Sequence, residues 1–356
     1  MAYINESDIE EAHIKLFEAL GYAHENAWRH KLLERQSLKE VVLKDKLHKA
    51  LSKLNPLLPT SAIDDATYEL SKSRSMLGEL EANQEVYELI KNGVPITFSN
   101  QEGKEEPTRV KVVSFDDPKQ NDFLVVSQLS IENQENNHNR RPDLILYVNG
   151  LPLVLVELKR PNVQGGIRTG FDKNLRDYKK DIPQLFYYNL FVLISDGVET
   201  RIGSFNAPWE HFFQWKRLDE KEVAQLSLEF VSKGLCKKET LLDYLENFVL
   251  YHKKTKKIIA KNHQFLGVNA TLQSLEKSDE HGKLGTFWHT QGSGKSYSMI
   301  FFTKKVERKL KGNWSFLILT DRNDLDDQIF KNFFDTGTFQ LSKSEKVNSN
   351  QYRAKG

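Results

Sequence analysis

Cysteine is almost missing from this 356-residue chain: Cys236 stands alone, so no internal disulfide can form, and a reducing compartment is the natural setting. No apolar run approaches the roughly 20 residues needed to span a bilayer. Acidic residues (Glu6, Asp8, Glu10, Glu11) crowd the N-terminus, where a signal peptide would be basic and then apolar. The expectation is a soluble, cytoplasmic protein with no membrane partner. Strong charge of one sign is absent too. At a net charge of +2 no global basic field points to nucleic acid. Any DNA contact falls to local runs, Lys253-Lys254-Thr255-Lys256-Lys257 or Lys304-Lys305 with Arg308-Lys309, whose other reading is a solvated helix face. Hydrophobic residues make up 39% and charged residues 28%, yet both halves hold apolar runs long enough for a core. The length suits two domains.

A helical stripe of Ile9, Ala12, Leu16, Ala19 and Leu20 occupies 6–20, with Asn5 or Ser7 as cap and Gly21 as stop. One or two helices are expected over 28–54, broken at Asn55-Pro56 and Pro59. Another is expected over 63–91, ending at Asn92-Gly93. Short β-type runs follow at 94–98, 109–115, 123–130, 144–148 and 153–158, with Asn149-Gly150 as a hairpin signal between the last two. A helix over 170–180 then precedes the apolar strand Phe191-Val192-Leu193-Ile194, giving an α/β domain with a mixed sheet. From 216 to 250 the pattern is helical again, with Leu226, Phe230, Leu241, Leu245 and Phe248 available for packing. Beyond a polar segment at 276–283, a strand at 284–288, a glycine loop, a helix from Lys295 and a buried strand at 316–319 open a parallel sheet.

Two constellations carry chemistry. The first is Arg141-Pro142-Asp143 with Glu157-Leu158-Lys159. Pairing across the Asn149-Gly150 turn brings Asp143 and Glu157 to one end of a hairpin, and Glu157 and Lys159 project from one strand face. Two carboxylates anchor a hard cation such as Mg²⁺, and a lysine can orient an attacking water or steady a phosphorane. The competing reading is structural: Glu157 pairs with Lys159 or Arg160 while Asp143 caps a turn. Glu10 or Glu11 is a candidate additional carboxylate, against the ordinary role of favouring a helix dipole. The second constellation is His289-Thr290-Gln291-Gly292-Ser293-Gly294-Lys295-Ser296, a phosphate-cradling loop. Gly292 and Gly294 let the backbone approach, Lys295 meets the β/γ-phosphates of ATP, and Ser296 is placed to ligate Mg²⁺. His289 stands where the strict pattern has glycine. The Asp279-Glu280-His281 string precedes the loop in polar sequence and is rejected as the acidic element of hydrolysis.

The first constellation resembles the PD-(D/E)xK nuclease superfamily. That resemblance implies that Asp143 and Glu157 bind Mg²⁺ and that Lys159 acts on the water or phosphorane. Relatives of the recombination nucleases add Gln-x-x-x-Tyr on the following helix. Here Asn174 and Tyr178 match by position, and Gln184 and Tyr188 match by letter. His263-Gln264 resembles the adenine-contacting element of superfamily 2 helicases, and Thr320-Asp321-Arg322-Asn323-Asp324-Leu325 resembles a later motif that contacts nucleic-acid backbone.

Arg140 through Asp143, Asn149 through Pro152, Glu157 through Lys159, Ser195-Asp196-Gly197, Arg201-Ile202-Gly203 and Trp288 through Ser296 together resemble the motor and endonuclease subunit of type I restriction enzymes. The resemblance implies a PD-(D/E)xK mixed sheet flanked by helices over 1–215, a helical connector over 216–260 and an incomplete RecA-like motor lobe over 261–356. It implies Mg²⁺ and ATP as cofactors, duplex DNA as substrate, and methyltransferase and specificity subunits as partners. With no acidic hydrolysis element after the loop, the chain reads as an N-terminal fragment. Two alternatives stay open: a superfamily 2 ATPase with an inactive nuclease domain, and a truncated docking module.

Overall fold

Asn149 and Gly150 both take left-handed backbone, at φ 52° and 79°. A Cβ on Gly150 would lie 2.6 Å from the Leu43 carbonyl oxygen, so only glycine fits this turn. Asn149 is buried and anchors the turn in the core. Its Oδ1 accepts from the Asp122 N–H at 2.7 Å, and its Nδ2 donates to the Val112 carbonyl at 2.9 Å. The structure containing this turn is a computed structural model that describes residues 6–28, 32–99, 102–135, 138–161, 165–218, 228–277 and 284–338. Asn5, Leu226 and Asp279-Glu280-His281 lie outside the described residues. By internal contacts the chain divides into two units, Met1–Leu218 with Val223–Glu246, and Asp219–Glu222 with Asn247–Gly356.

Unit 1 is a mixed α/β arrangement. In chain order it contains α1 (Glu6–Ala19), β1 (Ala23–Asn26), α2 (Lys44–Leu54), α3 (Thr60–Ser71), α4 (Glu79–Asn92), β2 (Val94–Ser99), β3 (Glu105–Val110), β4 (Phe123–Ser127), β5 (Ile131–Glu132) and β6 (Asn139–Arg140). There follow β7 (Leu144–Val148), β8 (Leu151–Leu158), α5 (Gly166–Thr169), α6 (Arg176–Asp181), β9 (Phe191–Ser195), β10 (Thr200–Gly203), α7 (Leu228–Leu235) and α8 (Lys238–Asn247), whose last residue falls in unit 2. The main sheet runs β1-β4-β7-β8-β9-β10. β1 is parallel to β4 and β8 to β9, while the other neighbours are antiparallel. β4, β7, β8 and β9 are buried along their whole length, which their Val, Ile and Leu runs require when both faces are covered.

Between α5 and α6 the helix widens into a π turn, Gly170–Leu175. Such turns insert one residue into an α-helix and recur at functional sites.

Several expectations need correction. Over 28–54 one helix forms, within the one or two expected, but α2 is confined to the end of the segment because buried Arg35 holds 32–43 irregular through the carbonyls of Leu32, Glu40 and Ser130. The helix expected over 63–91 is two, α3 and α4. Arg74, 3% exposed, ends the first by donating to the carbonyls of Glu69 and Lys72. The strand expected over 109–115 is instead β3, ending at Val110.

Unit 2 begins with β11 (Val249–His252) and β12 (Lys256–Ile259), an antiparallel hairpin inside the expected helical connector. The Lys253 to Lys257 run therefore lies on a hairpin, and Lys257 is buried rather than part of a solvated face. Then come α9 (Asn262–Lys277), α10 (Lys295–Lys309) and α11 (Asn323–Asp335). Lys305 is buried and donates to Asn269 Oδ1 at 2.5 Å, which removes it from any exposed basic track. The runs 284–288 and 316–319 are not strands: Trp288 is 80% exposed and Leu317 85%. Parallel strands need neighbours and covered faces. Among the described residues no strand lies beside either run, so the expected parallel sheet is not formed there.

Candidate active site

The register of β7 on β8 sets Leu144 opposite Val156, so Asp143 and Glu157 meet at one end of the hairpin. Asp143 Oδ2 accepts the Leu158 N–H at 2.7 Å. Glu157 is 2% exposed and gathers three side chains. Lys159 Nζ and Asn174 Nδ2 both donate to its Oε1, and Tyr178 OH donates to its Oε2 at 2.8 Å. Lys159 also bonds the Leu158 carbonyl and stands 4.0 Å from Glu6. Asn174 lies in the π turn and Tyr178 in α6, so one irregular helix supplies both donors. Gln184 and Tyr188 are elsewhere: Gln184 donates to the Glu132 carbonyl at 2.7 Å and Tyr188 to the Leu70 carbonyl at 2.8 Å. Of the structural reading, the Glu157–Lys159 pair is present, but Asp143 accepts from Leu158 on the partner strand instead of capping a turn. Asn174 and Tyr178 converge on the same buried carboxylate from one irregular helix.

Burial pushes the Glu157 carboxyl above its ordinary range, opposed by Lys159, Tyr178 and Asn174. Burial also raises Asp143, and the neighbouring Glu157 raises it further, against the Leu158 N–H and Lys159. Burial and the two carboxylates push the Tyr178 hydroxyl well up, so it stays a neutral donor. A buried and a half-buried carboxyl, both with ionisation disfavoured by desolvation, are a hard-oxygen donor set in need of positive charge. Among the described residues no cluster of three or more His, Cys, Asp or Glu is arranged for a metal. A cation on Asp143 and Glu157 would therefore draw much of its shell from water and substrate oxygens.

Glu10 is half-buried, its carboxyl raised by burial, and it accepts from Gln128 Nε2 at 2.6 Å. Glu11 pairs instead with Lys15 at the exposed surface. Gln128 takes left-handed backbone at φ 56°, and its N–H donates to the Asp143 carbonyl at 2.9 Å. It belongs to the site and nothing in its sequence context marks it, because a non-glycine residue in that conformation carries no local signature.

In unit 2 the second constellation forms a loop. Gly292 and Gly294 are left-handed, and α10 starts at Lys295 with Gly294 as its cap. Lys295 Nζ donates to the carbonyls of His289 at 2.6 Å and Thr290 at 3.3 Å. Gln264 Nε2 donates to the Gly294 carbonyl at 2.9 Å, and His263 Nε2 lies 3.0 Å from the Ser293 carbonyl. His289, where glycine was expected, packs its ring on His263 at 4.7 Å and on Phe287 at 4.6 Å. Thr290 and Gln291 are exposed and Ser296 half-buried in the first turn of α10. Thr320 Oγ1 reaches Asp326, and Arg322 pairs with Asp324.

Residues 3–211 match the family described as type I restriction enzyme R protein N terminus, and residues 263–354 are similar to the SWI2/SNF2 ATPase family. The type I restriction enzyme HindI endonuclease subunit of Haemophilus influenzae is 38% identical over 351 residues, covering 93% of this chain and 33% of that protein. The type I restriction enzyme SauCOLORF180P endonuclease subunit of Staphylococcus aureus is 30% identical over 228 residues, covering 62% of this chain and 23% of that protein. The chain spans about a third or less of the length of the curated relatives it matches. No helix among the described residues is long and apolar enough to cross a membrane. With more than half its length matched to that N-terminal family, and with the Haemophilus influenzae subunit similar over 93% of it, this chain belongs to the type I restriction enzyme R protein family.

Proposed function

We propose that unit 1 is a PD-(D/E)xK nuclease domain that hydrolyses duplex DNA, and that unit 2 is the beginning of a RecA-like, ATP-binding motor lobe. The observation that carries the reading is the buried Glu157 carboxylate, which stands beside Asp143 and collects Lys159, Asn174 and Tyr178. Mg²⁺ held by Asp143 and Glu157 would supply positive charge at the phosphate oxygens and favour ionisation of the attacking water. The residues do the rest. Tyr178 and Asn174 orient Glu157, the Leu158 N–H orients Asp143, and Lys159 offers a cation where charge develops on the phosphate. In unit 2, Lys295 would exchange its bonds with loop carbonyls for the phosphates of ATP, Gln264 sits against the loop for the base, and Ser296 would face Mg²⁺.

By kinship with endonuclease subunits, the whole protein is proposed to work with methyltransferase and specificity subunits, cutting DNA while its motor consumes ATP. Convergence on Glu157 favours an active centre over a nuclease domain that has lost cleavage. The test is Asp143→Ala in the intact subunit with its partners: cutting should disappear while ATP hydrolysis and translocation continue. Undiminished cutting would overturn the assignment.

A further inference from the structure

Two arginines precede Pro142, and the fold uses them differently. Arg140 donates Nε to Asp181 Oδ2 at 2.7 Å, and its second guanidinium nitrogen is 2.6 Å from the same oxygen and 3.6 Å from Asp177. That arginine ties α6 to the strand. Successive side chains on extended backbone point to opposite sides, and Arg141 turns to a different partner. Its guanidinium carbon lies 4.2 Å from the centroid of the Trp28 ring. Among the described residues no carboxylate lies within ion-pair distance of Arg141, although its charge is felt at Glu10. Arg141 is exposed and Trp28 is 62% exposed, unusual for so large an apolar ring.

Topology puts this pair at the mouth of the site. β1 runs parallel to β4 with Asn26 opposite Ser127, and Ser127 lies opposite Leu144 on β7. Trp28, Gln128 and Asp143 thus leave the sheet along one edge. That end carries the carboxylates Glu10, Asp143 and Glu157, while Lys159, bonded to Glu157 and 16% exposed, serves the centre itself and not the approach to it. A polyanion approaching it needs a cation that is not already engaged.

We propose that Arg141, laid against Trp28, is a phosphate clamp that seats a strand of duplex DNA across the nuclease centre, an inference that rests on the nuclease reading above. A guanidinium can stay stacked on an aromatic face while its planar fork donates two N–H groups to phosphate oxygens. Trp28 is the positioning residue. Stacking restricts the rotamers of Arg141 before DNA arrives, which lowers the ordering penalty of binding. A contact of this kind positions DNA without reading its sequence.

The test is fluorescence anisotropy of labelled duplexes of several sequences, titrated with the 356-residue chain at a series of salt concentrations without divalent metal. Arg141→Ala should weaken binding about tenfold and lower the slope of log affinity against log salt by about 0.9, the value for one phosphate contact. Arg141→Lys should keep the slope but lose part of the affinity. Trp28→Phe should bind as the wild type, and Trp28→Ala should fall between. Unchanged affinity and slope in Arg141→Ala, a loss that varies with base sequence, or no duplex binding by the wild-type chain would each overturn the clamp. Retained cutting by Asp143→Ala in the intact subunit would instead overturn the nuclease reading and leave the clamp measurement standing.

Discussion

Replacing Gly170 with alanine sets two effects against each other at the start of the π turn. Gly170 has helical backbone, φ −56° and ψ −40°, so alanine there gains about 1 kcal/mol in helix propensity. The added Cβ, however, would lie 2.8 Å from Ile194 Cγ2, 3.3 Å from Lys159 Cε and 3.6 Å from Glu157 Cγ. Ile194 is fully buried in β9 and its branched side chain has little freedom to retreat, so overpacking of about 1–3 kcal/mol applies. Net stability should therefore fall by about 0–2 kcal/mol. The larger effect is on chemistry. The flexible end of Lys159 moves most easily, and the helix bearing Asn174 and Tyr178 is lifted from Glu157. Misplacement of catalytic groups by under an ångström to about one can lower rate up to about 100-fold. The assay pairs urea unfolding of the chain, fitted for its two units, with plasmid cleavage by the intact subunit carrying Gly170→Ala. A variant that is about 1 kcal/mol more stable and cuts like the wild type would refute the close approach of this helix to the strand edge.

Other outcomes follow from the buried ionisable groups and the glycine loop. The folded-state pKa of Asp143 lies above its unfolded value, so its contribution is favourable at low pH and lost as pH rises through the folded value. In metal-free buffer, wild type should lose stability relative to Asp143→Asn on going from mildly acidic to alkaline pH, and parallel denaturation profiles would contradict this. His13 is buried with its pKa lowered to about 4 from 6.5, so the unfolded chain takes the proton first. Stability should drop by up to about 3 kcal/mol as pH falls between those values, and a His13→Leu variant should show a flatter slope in the same unfolding series. Lys295→Ala should weaken binding of a fluorescent ATP analogue to the chain, and equal affinity would remove Lys295 from the nucleotide site.

What was legible in the sequence is what local chemistry decides. Asn149-Gly150 announces its hairpin because left-handed backbone at both positions is costly for other residues, and the hairpin then forces Asp143 next to Glu157. The glycine loop is legible for the same reason. Choosing Asn174 over Gln184 rested only on position along the helix; in the structure Asn174 and Tyr178 bond Glu157, while Gln184 and Tyr188 bond backbone carbonyls. Gln128 and Trp28 were invisible: Gln128 meets Asp143 through the antiparallel pairing of β4 with β7 in an unmarked left-handed conformation, and Trp28 arrives through the parallel pairing of β1 with β4, segments far apart in the chain. The runs at 284–288 and 316–319 have the composition of buried strands, but composition records suitability for a sheet and not the presence of neighbours. The break between α3 and α4 was hidden because a buried arginine, rather than proline or glycine, ends the first helix.

The π turn has a consequence for how this domain tolerates change. A π turn takes up one added residue in a single wider turn, so the helix on either side keeps nearly the same course while the residue register shifts by one position. The face that Ile167 and Arg168 present is thereby uncoupled from the face that sends Tyr178 to Glu157. Deleting a single residue between Gly170 and Asn174 would restore regular α-helix and leave the upstream segment on its course with its register moved by one, while α6 kept its grip on the carboxylate. The helix works as a splined joint. Its downstream half is keyed to the chemistry, and its upstream half can be re-indexed by single-residue insertions and deletions, one notch at a time.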